Sequence, residues 1–291
     1  MTDAAEKAVI TEPGIYDMSA DEYHADKAVP GGSLSSSGAR RLLPPSCPAL
    51  YRWEQDNPQP AKKTFDYGHA AHKEVLGEGP ELVVVDAPLW NTDAIRAEVA
   101  AIRAEGGIPL KQHEFEQIKA MAAAIRRHPL ASALLDRSSG RPEASLFAQD
   151  AATGIWMRAR PDWLPNRDSG RTLISDYKTT VDASNEGFTK SIQTFGYYQQ
   201  SPWYIDVTVA LDLASEDAEF LFIAQEKNPP YLVNVIGLDA EWMRKGRARN
   251  RAAIERFAEC SATGLWPGYG DEPNYLTQPV WAEIRDTEEY L

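Results

Sequence analysis

At 291 residues and 43% hydrophobic content, the chain can build a core as one large domain or two small ones. A net charge of −13 argues against a surface that coats nucleic acid indiscriminately, while leaving room for a local basic groove. Two distant cysteines, Cys47 and Cys260, argue against a disulfide framework and fit a reducing cytoplasm; no apolar run is long enough to span a bilayer, and the polar, acidic start from Met1 to Lys7 does not read as a signal peptide.

Residues 1–12 read as a loose tail and 13–291 as a single domain, since no linker divides them. Pro13 to Tyr16 and Ser19 to His24 form a short ordered arm. Gly31 to Ser37 lead into a helix from Gly38 to Leu43, with the serines as natural N-caps. Pro44 to Pro48 break that helix, and the next carries Ala49 to Trp53. Lys62 and Lys63 precede a helix from Phe65 to about Leu76, and Glu81 to Asp86 is a short strand. Residues 92–105 and 112–135 read as helices, the second with Ile118, Met121, Ala122, Ile125 and Leu130 at three- and four-residue steps. Strands follow at 143–148, 155–162 and 172–178, then a helix from about Glu186 to Ile205, strands at 219–226 and 231–237, and a long helix from Asp239 to Cys260. The tail from Trp266 to Trp281 is irregular, aromatic and rich in proline. Helices flanking a central group of about five strands give an α/β class.

The chemistry concentrates in two stretches. Ile155 to Asp162 ends in Arg158-Ala159-Arg160-Pro161-Asp162, and Thr172 to Lys178 ends in Asp176-Tyr177-Lys178. Asn166 to Gly170, between them, is a turn by composition. A hairpin of this kind brings two carboxylates and one lysine to one edge of a sheet. That donor set suits a hard divalent cation such as Mg²⁺, which is held by one or two carboxylates and keeps several waters. The bland alternative is a surface pair of Asp176 and Lys178 on one strand face, since short charged triplets recur by chance.

Three further features stand near the hairpin. Gly68-His69-Ala70-Ala71-His72 lies on a helix, where His72 is either an inward-facing metal ligand or a surface or cap residue. Glu143 is either a further carboxylate for metal or its water, or an ordinary strand-end charge. Gln200 and Tyr204, one helical turn apart, face the same way and can both hydrogen-bond a DNA phosphate; Trp203 between them reads as core. Ser35 and Ser37 sit where a helix start presents amide donors to an anion such as a terminal 5′ phosphate, although plain capping accounts for them too. Basic residues cluster at Arg40-Arg41, Arg126-Arg127, Arg158/Arg160 and Lys245 to Arg251, most of them reading as solvated helix faces.

The order G-x-x-x-H, E, P-D, D-x-K, Q-x-x-x-Y resembles the RecB-like branch of the PD-(D/E)xK nuclease superfamily, and within it the RecE, or exonuclease VIII-like, nucleases. Gly14-Ile15-Tyr16, Asp21 to His24, Pro48 to Tyr51, Thr153 to Ile155 and Trp266-Pro267 extend the resemblance from Pro13 to about Trp281. It implies a restriction-endonuclease-like core, a central mixed sheet flanked by helices. It also implies Mg²⁺-dependent 5′-to-3′ digestion of linear duplex DNA, with Mn²⁺ able to substitute, leaving 3′ overhangs for a RecT-like single-strand annealing protein. Carried over by residue, it makes His72, Asp162, Asp176 and the Tyr177 carbonyl the metal ligands, and Lys178 the residue that orients or deprotonates the attacking water. Gln200, Tyr204, Arg158, Arg160, Ser35 and Ser37 become candidates for DNA contact, and Glu143 for the catalytic group. A homo-oligomeric ring and a bacterial cytoplasmic setting, phage- or prophage-encoded, follow from the same likeness. One departure separates the chain from RecB-like relatives with an iron–sulfur cluster: such a cluster needs four thiolates, and only Cys47 and Cys260 are present. A related nuclease of other polarity or endonuclease activity, and a non-catalytic DNA-end-binding module, remain as alternatives.

Overall fold

The computed structural model describes residues 9–57, 64–166 and 170–290. The chain runs through β1 (Gly14–Tyr16), α1 (Ala20–Ala25), β2 (Leu34–Ser35), α2 (Ser36–Arg41), α3 (Pro48–Asp56), α4 (Thr64–Leu76), β3 (Leu82–Val84), α5 (Asp93–Ala104), β4 (Ile108–Leu110), α6 (Gln112–Arg127) and α7 (Pro129–Leu134). It continues with β5 (Gly140–Pro142), β6 (Ser145–Gln149), β7 (Trp156–Ala159), β8 (Trp163–Pro165), β9 (Leu173–Thr180), α8 (Asn185–Phe195), α9 (Tyr197–Ala210), β10 (Glu219–Glu226), β11 (Val233–Gly237), α10 (Ala240–Thr263) and α11 (Val280–Tyr290). Among the described residues no helix is long and apolar enough to cross a membrane.

Two mixed sheets carry the architecture. One has five strands in the order β11-β10-β9-β8-β5, the other four in the order β1-β6-β7-β2, and β3 and β4 form a separate parallel pair. β9 and β10 lie parallel, so the chain must cross over between them, and α8 and α9 are that crossover. On one face of β9, Ile174 packs with Phe188, Ile192 and Ile205 from the crossover helices. On the other face, Tyr177 packs with Ala71 of α4 and Met121 and Ile125 of α6. Trp203 and Val207 of α9 also meet Leu146, Ala159 and Phe257, so this helix is wedged between the two sheets and α10. A helix buried on nearly every side needs little amphipathicity, and α9 is apolar around most of its circumference.

Several boundaries differ from those read in the sequence. Ile10, placed in the loose tail, is buried against Tyr23, Val29 and Phe147, and its amide donates to the Ala28 carbonyl at 2.7 Å. The helix expected over 112–135 breaks at His128, which is extended because Pro129 follows it. The helix expected over 186–205 is two, divided at Gly196 in the left-handed conformation (φ 68°), where an added Cβ would meet Arg40 Cδ at 2.6 Å. The strand expected over 155–162 stops at Ala159, and a separate strand starts at Trp163: β7 belongs to the four-stranded sheet and β8 to the five-stranded one. Pro161, with no amide hydrogen to donate, sits in the corner between them. β5, β4 and α11 have no counterpart in the reading of the sequence. Lys62 and Lys63, and most of the turn expected over Asn166 to Gly170, lie outside the described residues.

Pro202 inside α9 cannot donate to the Tyr198 carbonyl, four residues back. Gly246 of α10 covers that carbonyl: a Cβ there would stand 1.9 Å from Tyr198 O and 2.8 Å from Pro202 Cγ. Gly246→Ala should force the helices apart and cost about 1–3 kcal/mol in a urea melt; an unchanged midpoint would show that the helix contact is loose.

Candidate active site

The corner where the chain passes from β7 to β8 puts Asp162 against β9. Its Oδ2 accepts the Tyr177 amide at 2.7 Å, and the residue is 8% exposed. A second corner, between β5 and β6, makes the reverse passage between the same two sheets and carries Glu143 with φ 52°. The Glu143 amide donates to the Asp162 carbonyl at 3.3 Å, so the two corners are stitched together. His72 of α4 approaches from the Tyr177 face: Nδ1 lies 3.4 Å from Asp162 Oδ2, and the imidazole also bonds the Tyr177 main chain. Donor atoms of His72, Glu143 and Asp162 all lie within 4.8 Å of one another.

Asp176 and Lys178 project from the opposite face of β9, as the two-residue period of a strand requires. Asp176 is 1% exposed; its Oδ1 accepts from Gln200 Nε2 at 2.8 Å, and its Oδ2 faces Lys178 Nζ at 2.5 Å. Lys178 also lies over the Tyr197 ring, 5.3 Å from its centroid. The Tyr204 hydroxyl meets the Gln200 side chain, completing a chain of hydrogen bonds from α9 to the carboxylate. The sheet-edge placement expected for these groups is therefore corrected. β9 lies between β10 and β8 inside the five-stranded sheet, and the carboxylates are buried because helices cover both of its faces.

Charge makes the arrangement uneven. Burial raises the Asp162 carboxyl well above the usual range, the neighbouring Asp176 and Glu143 raise it further, and Lys178 only partly opposes them. Burial, then the charge of Lys178 and the nearby His69, pulls His72 down to about 3, so its imidazole is neutral at ordinary pH. Burial alone would lower the Lys178 amine, yet Asp176 and Asp162 outweigh it and hold the amine above its usual range. As an ammonium held between the two carboxylates, Lys178 is a hydrogen-bond donor, which suits the orienting role expected of it. A neutral imidazole beside an excess of buried carboxylates is a donor set that fits a hard divalent cation.

Ser35 and Ser37 line the same cleft as Lys178, Gln200 and Tyr204, a space of about 310 Å³ that also touches Tyr23, His24, Arg40 and Tyr197. Ser35 is at the same time a cap, its hydroxyl accepting from Gly38 N at 3.1 Å. Arg158 and Arg160 are corrected as DNA contacts. Arg158 is 6% exposed, ion-paired with Asp26 and bonded to the Ser33 carbonyl at 2.9 Å. Arg160 is bonded to Glu143 Oε2 at 2.6 Å and to the Met18 carbonyl at 3.1 Å. Both hold the arm at residues 18–33 against β7 and its corner. Arg40 and Tyr197 of the cleft wall were not singled out in the sequence as site residues. Their signals, one residue of a basic pair and one of a tyrosine pair, are too common to point anywhere alone.

Compared with known families, residues 48–279 match the profile of the PDDEXK-like domain of unknown function, DUF3799. The chain belongs to this family. A protein of Eubacterium rectale described as "Putative exonuclease" superposes with a TM-score of 0.60 at 14% identity, over 95% of this chain and 100% of that one, so the two share a fold. An alkaline exonuclease from Laribacter hongkongensis, 13% identical over 70% of this chain and 96% of its own, superposes with a TM-score of only 0.27 and adds nothing to the assignment. No curated protein matches the chain. The PDDEXK-like domain described here has the mixed α/β architecture expected of that superfamily. Cleft residues Tyr23, Ser35 and Arg40 come from the segment before the matched span.

Asp162 carries the like-charge strain, so Asp162→Asn should leave the chelator-treated protein at least as stable as the wild type. The wild type should gain about 2.7 kcal/mol from a divalent cation at 100 times its Kd, and the variant should gain almost nothing. Calorimetry with and without Mn²⁺ reads both, and equal metal stabilisation in the two proteins would remove Asp162 from the site.

Proposed function

We propose that this PDDEXK-like domain is a divalent-metal-dependent exonuclease that degrades linear double-stranded DNA from the 5′ end and leaves 3′ single-stranded overhangs. The observation that carries the reading is the gathering of His72, Glu143 and Asp162 donor atoms within 4.8 Å of one another, with the Asp176–Lys178 pair of β9 close enough to act on Asp162 electrostatically and Lys178 opening onto the cleft. His72, Asp162, Asp176 and the Tyr177 carbonyl would hold the metal, with Glu143 beside them. Mg²⁺, or Mn²⁺ in its place, supplies Lewis-acid character and an activated water when bound. The chain's own groups do the rest. Lys178 donates hydrogen bonds that orient the attacking water or a phosphate oxygen. Gln200, backed by Tyr204, holds the Asp176 carboxylate in one rotamer. Ser35, Ser37 and Arg40 offer donors and charge to the phosphates of the strand in the cleft.

The resemblance to RecE-like nucleases supports the finer parts of this reading: the 5′-to-3′ polarity, a RecT-like annealing partner, and a bacterial cytoplasmic setting with a phage or prophage gene. It also supports a closed homo-oligomeric ring. A chain of net charge −13 binds DNA best when its basic residues line a restricted channel and its acidic ones face outward. Arg126, Arg127 and Lys190, all three exposed, are candidates for such a wall. Tyr275 at 93% and Trp281 at 68% exposure are available for subunit contact, whereas Trp266 is stacked on Tyr51 inside the chain.

End-labelled linear duplex should be digested in Mg²⁺ and spared in chelator, while covalently closed circles resist. Lys178→Ala and Asp176→Ala should each lower the single-turnover rate by about 10²–10³ or more, as loss of one transition-state contact does. Digestion in chelator, or near wild-type turnover in either variant, would contradict the mechanism.

A further inference from the structure

A second cleft opens one residue along from the first. Tyr197 lines the catalytic cleft, and Tyr198 lines a neighbouring space of about 380 Å³ bounded by Trp242, Lys245 and Arg249 of α10. The Tyr198 and Trp242 rings lie 5.2 Å apart at 45°, half-buried, with part of each ring facing the opening. Their other contacts are with the apolar cluster beneath α8 and α9, so the platform is held from below.

The charge around this platform is positive in an otherwise acidic chain. Arg244 and Lys245 share one carboxylate, Glu241, which leaves a surplus positive charge. Arg249 bonds neutral groups, the Gln199 side chain at 3.2 Å and the Pro44 carbonyl at 2.8 Å, and so keeps its full charge. Arg40 stands at the corner between the clefts: it lines the first, packs its stem over Gly196, and interacts electrostatically with both Tyr197 and Tyr198. It has no carboxylate within ion-pair distance among the described residues. An aromatic pair beside arginines that no carboxylate neutralises is the chemistry that holds a stacked base and its flanking phosphates.

We propose that the Tyr198–Trp242 cleft is a binding site for single-stranded DNA, and that Arg40 links it to the catalytic cleft so that the strand left after digestion runs across α10. This inference rests on the reading of the domain as a DNA exonuclease, yet its test does not need cleavage. The platform takes any base, because each presents a π-face, and the binding is salt-sensitive because phosphates displace counterions from the arginines and Lys245.

The test is fluorescence anisotropy of a labelled dodecathymidylate, and of a blunt duplex of equal length, with the full chain in chelator so that nothing is cut. Trp242→Ala should weaken oligothymidylate binding by about tenfold, in keeping with the loss of one base stack, and should leave duplex binding within twofold; Trp242→Phe should restore most of the loss. Lys245→Glu, at a 58% exposed side chain where misfolding is not expected, should weaken the same binding and flatten its dependence on salt. Oligothymidylate bound as tightly by Trp242→Ala and Lys245→Glu as by the wild type would overturn the site. Equal losses on duplex and single strand would overturn its single-strand character. Failure of the exonuclease reading would appear separately, as wild-type protein that cuts no linear duplex in Mg²⁺ yet still binds the oligonucleotide through Trp242.

Discussion

The hydrogen bond from the Tyr177 amide to the Asp162 carboxylate, 2.7 Å long, ties the site together. It fixes a carboxylate from the β7–β8 corner onto the middle of a buried strand, at the point where β9 turns Asp176 and Lys178 to one side and Tyr177 to the other. The corner exists because the chain changes sheets there, and Pro161 ends the pairing of β7 without leaving an amide unsatisfied. Glu143 occupies the mirror passage and donates its own amide to the Asp162 carbonyl. Three carboxylates are thereby gathered in a buried place that Lys178 and Arg160 only partly neutralise. Burying like charges is costly unless something offsets them. A divalent cation held by oxygen and one neutral imidazole is the chemical solution that this donor set fits.

α9 is the second organising element. It is wedged between both sheets and α10, and the close approach at Gly246 depends on the absence of a side chain there. From this fixed helix, Gln200 reaches Asp176, Tyr197 lies beside Lys178, and Tyr198 faces α10. Gly196 matters for the same reason: its left-handed conformation ends α8 and lets Arg40 pass close to the backbone. The arm before α3 completes the cleft, and Arg158 and Arg160 pin it from beneath. Two arginines that look like a DNA-binding pair in the sequence are instead the fasteners that bring Ser35, Ser37 and Arg40 to the opening.

Much of the site is legible in the sequence because its spacing is local. Asp176-x-Lys178 requires one face of one strand, and Gln200-x-x-x-Tyr204 one face of one helix; both periodicities are written into the chain. Asp162 is suggested by the hairpin that the two strands imply, whereas His72 on its helix has two equal readings until the order of motifs along the chain favours one. What could not be read was tertiary. The burial of β9 comes from strands and helices far away in sequence, so the carboxylates looked like edge residues. The pairing of Arg158 with Asp26 spans more than a hundred positions, and no local pattern announces it. Boundaries failed where a single residue overrode a periodicity: Pro129 in one helix, Gly196 in another, Pro161 in a strand.

The central claim is that Asp162 and His72, with Asp176 and Glu143 around them, hold a divalent cation at β9. Anomalous diffraction from crystals soaked in Mn²⁺ tests it most directly, since Mn²⁺ favours the same oxygen-rich sites as Mg²⁺ and can be located by its own scattering. The account predicts one strong peak about 2.1 Å from an Asp162 carboxylate oxygen, with the His72 imidazole also coordinated. A soak that leaves this place without a peak, or a peak at some other part of the surface with Asp162 and His72 unmoved, would contradict it.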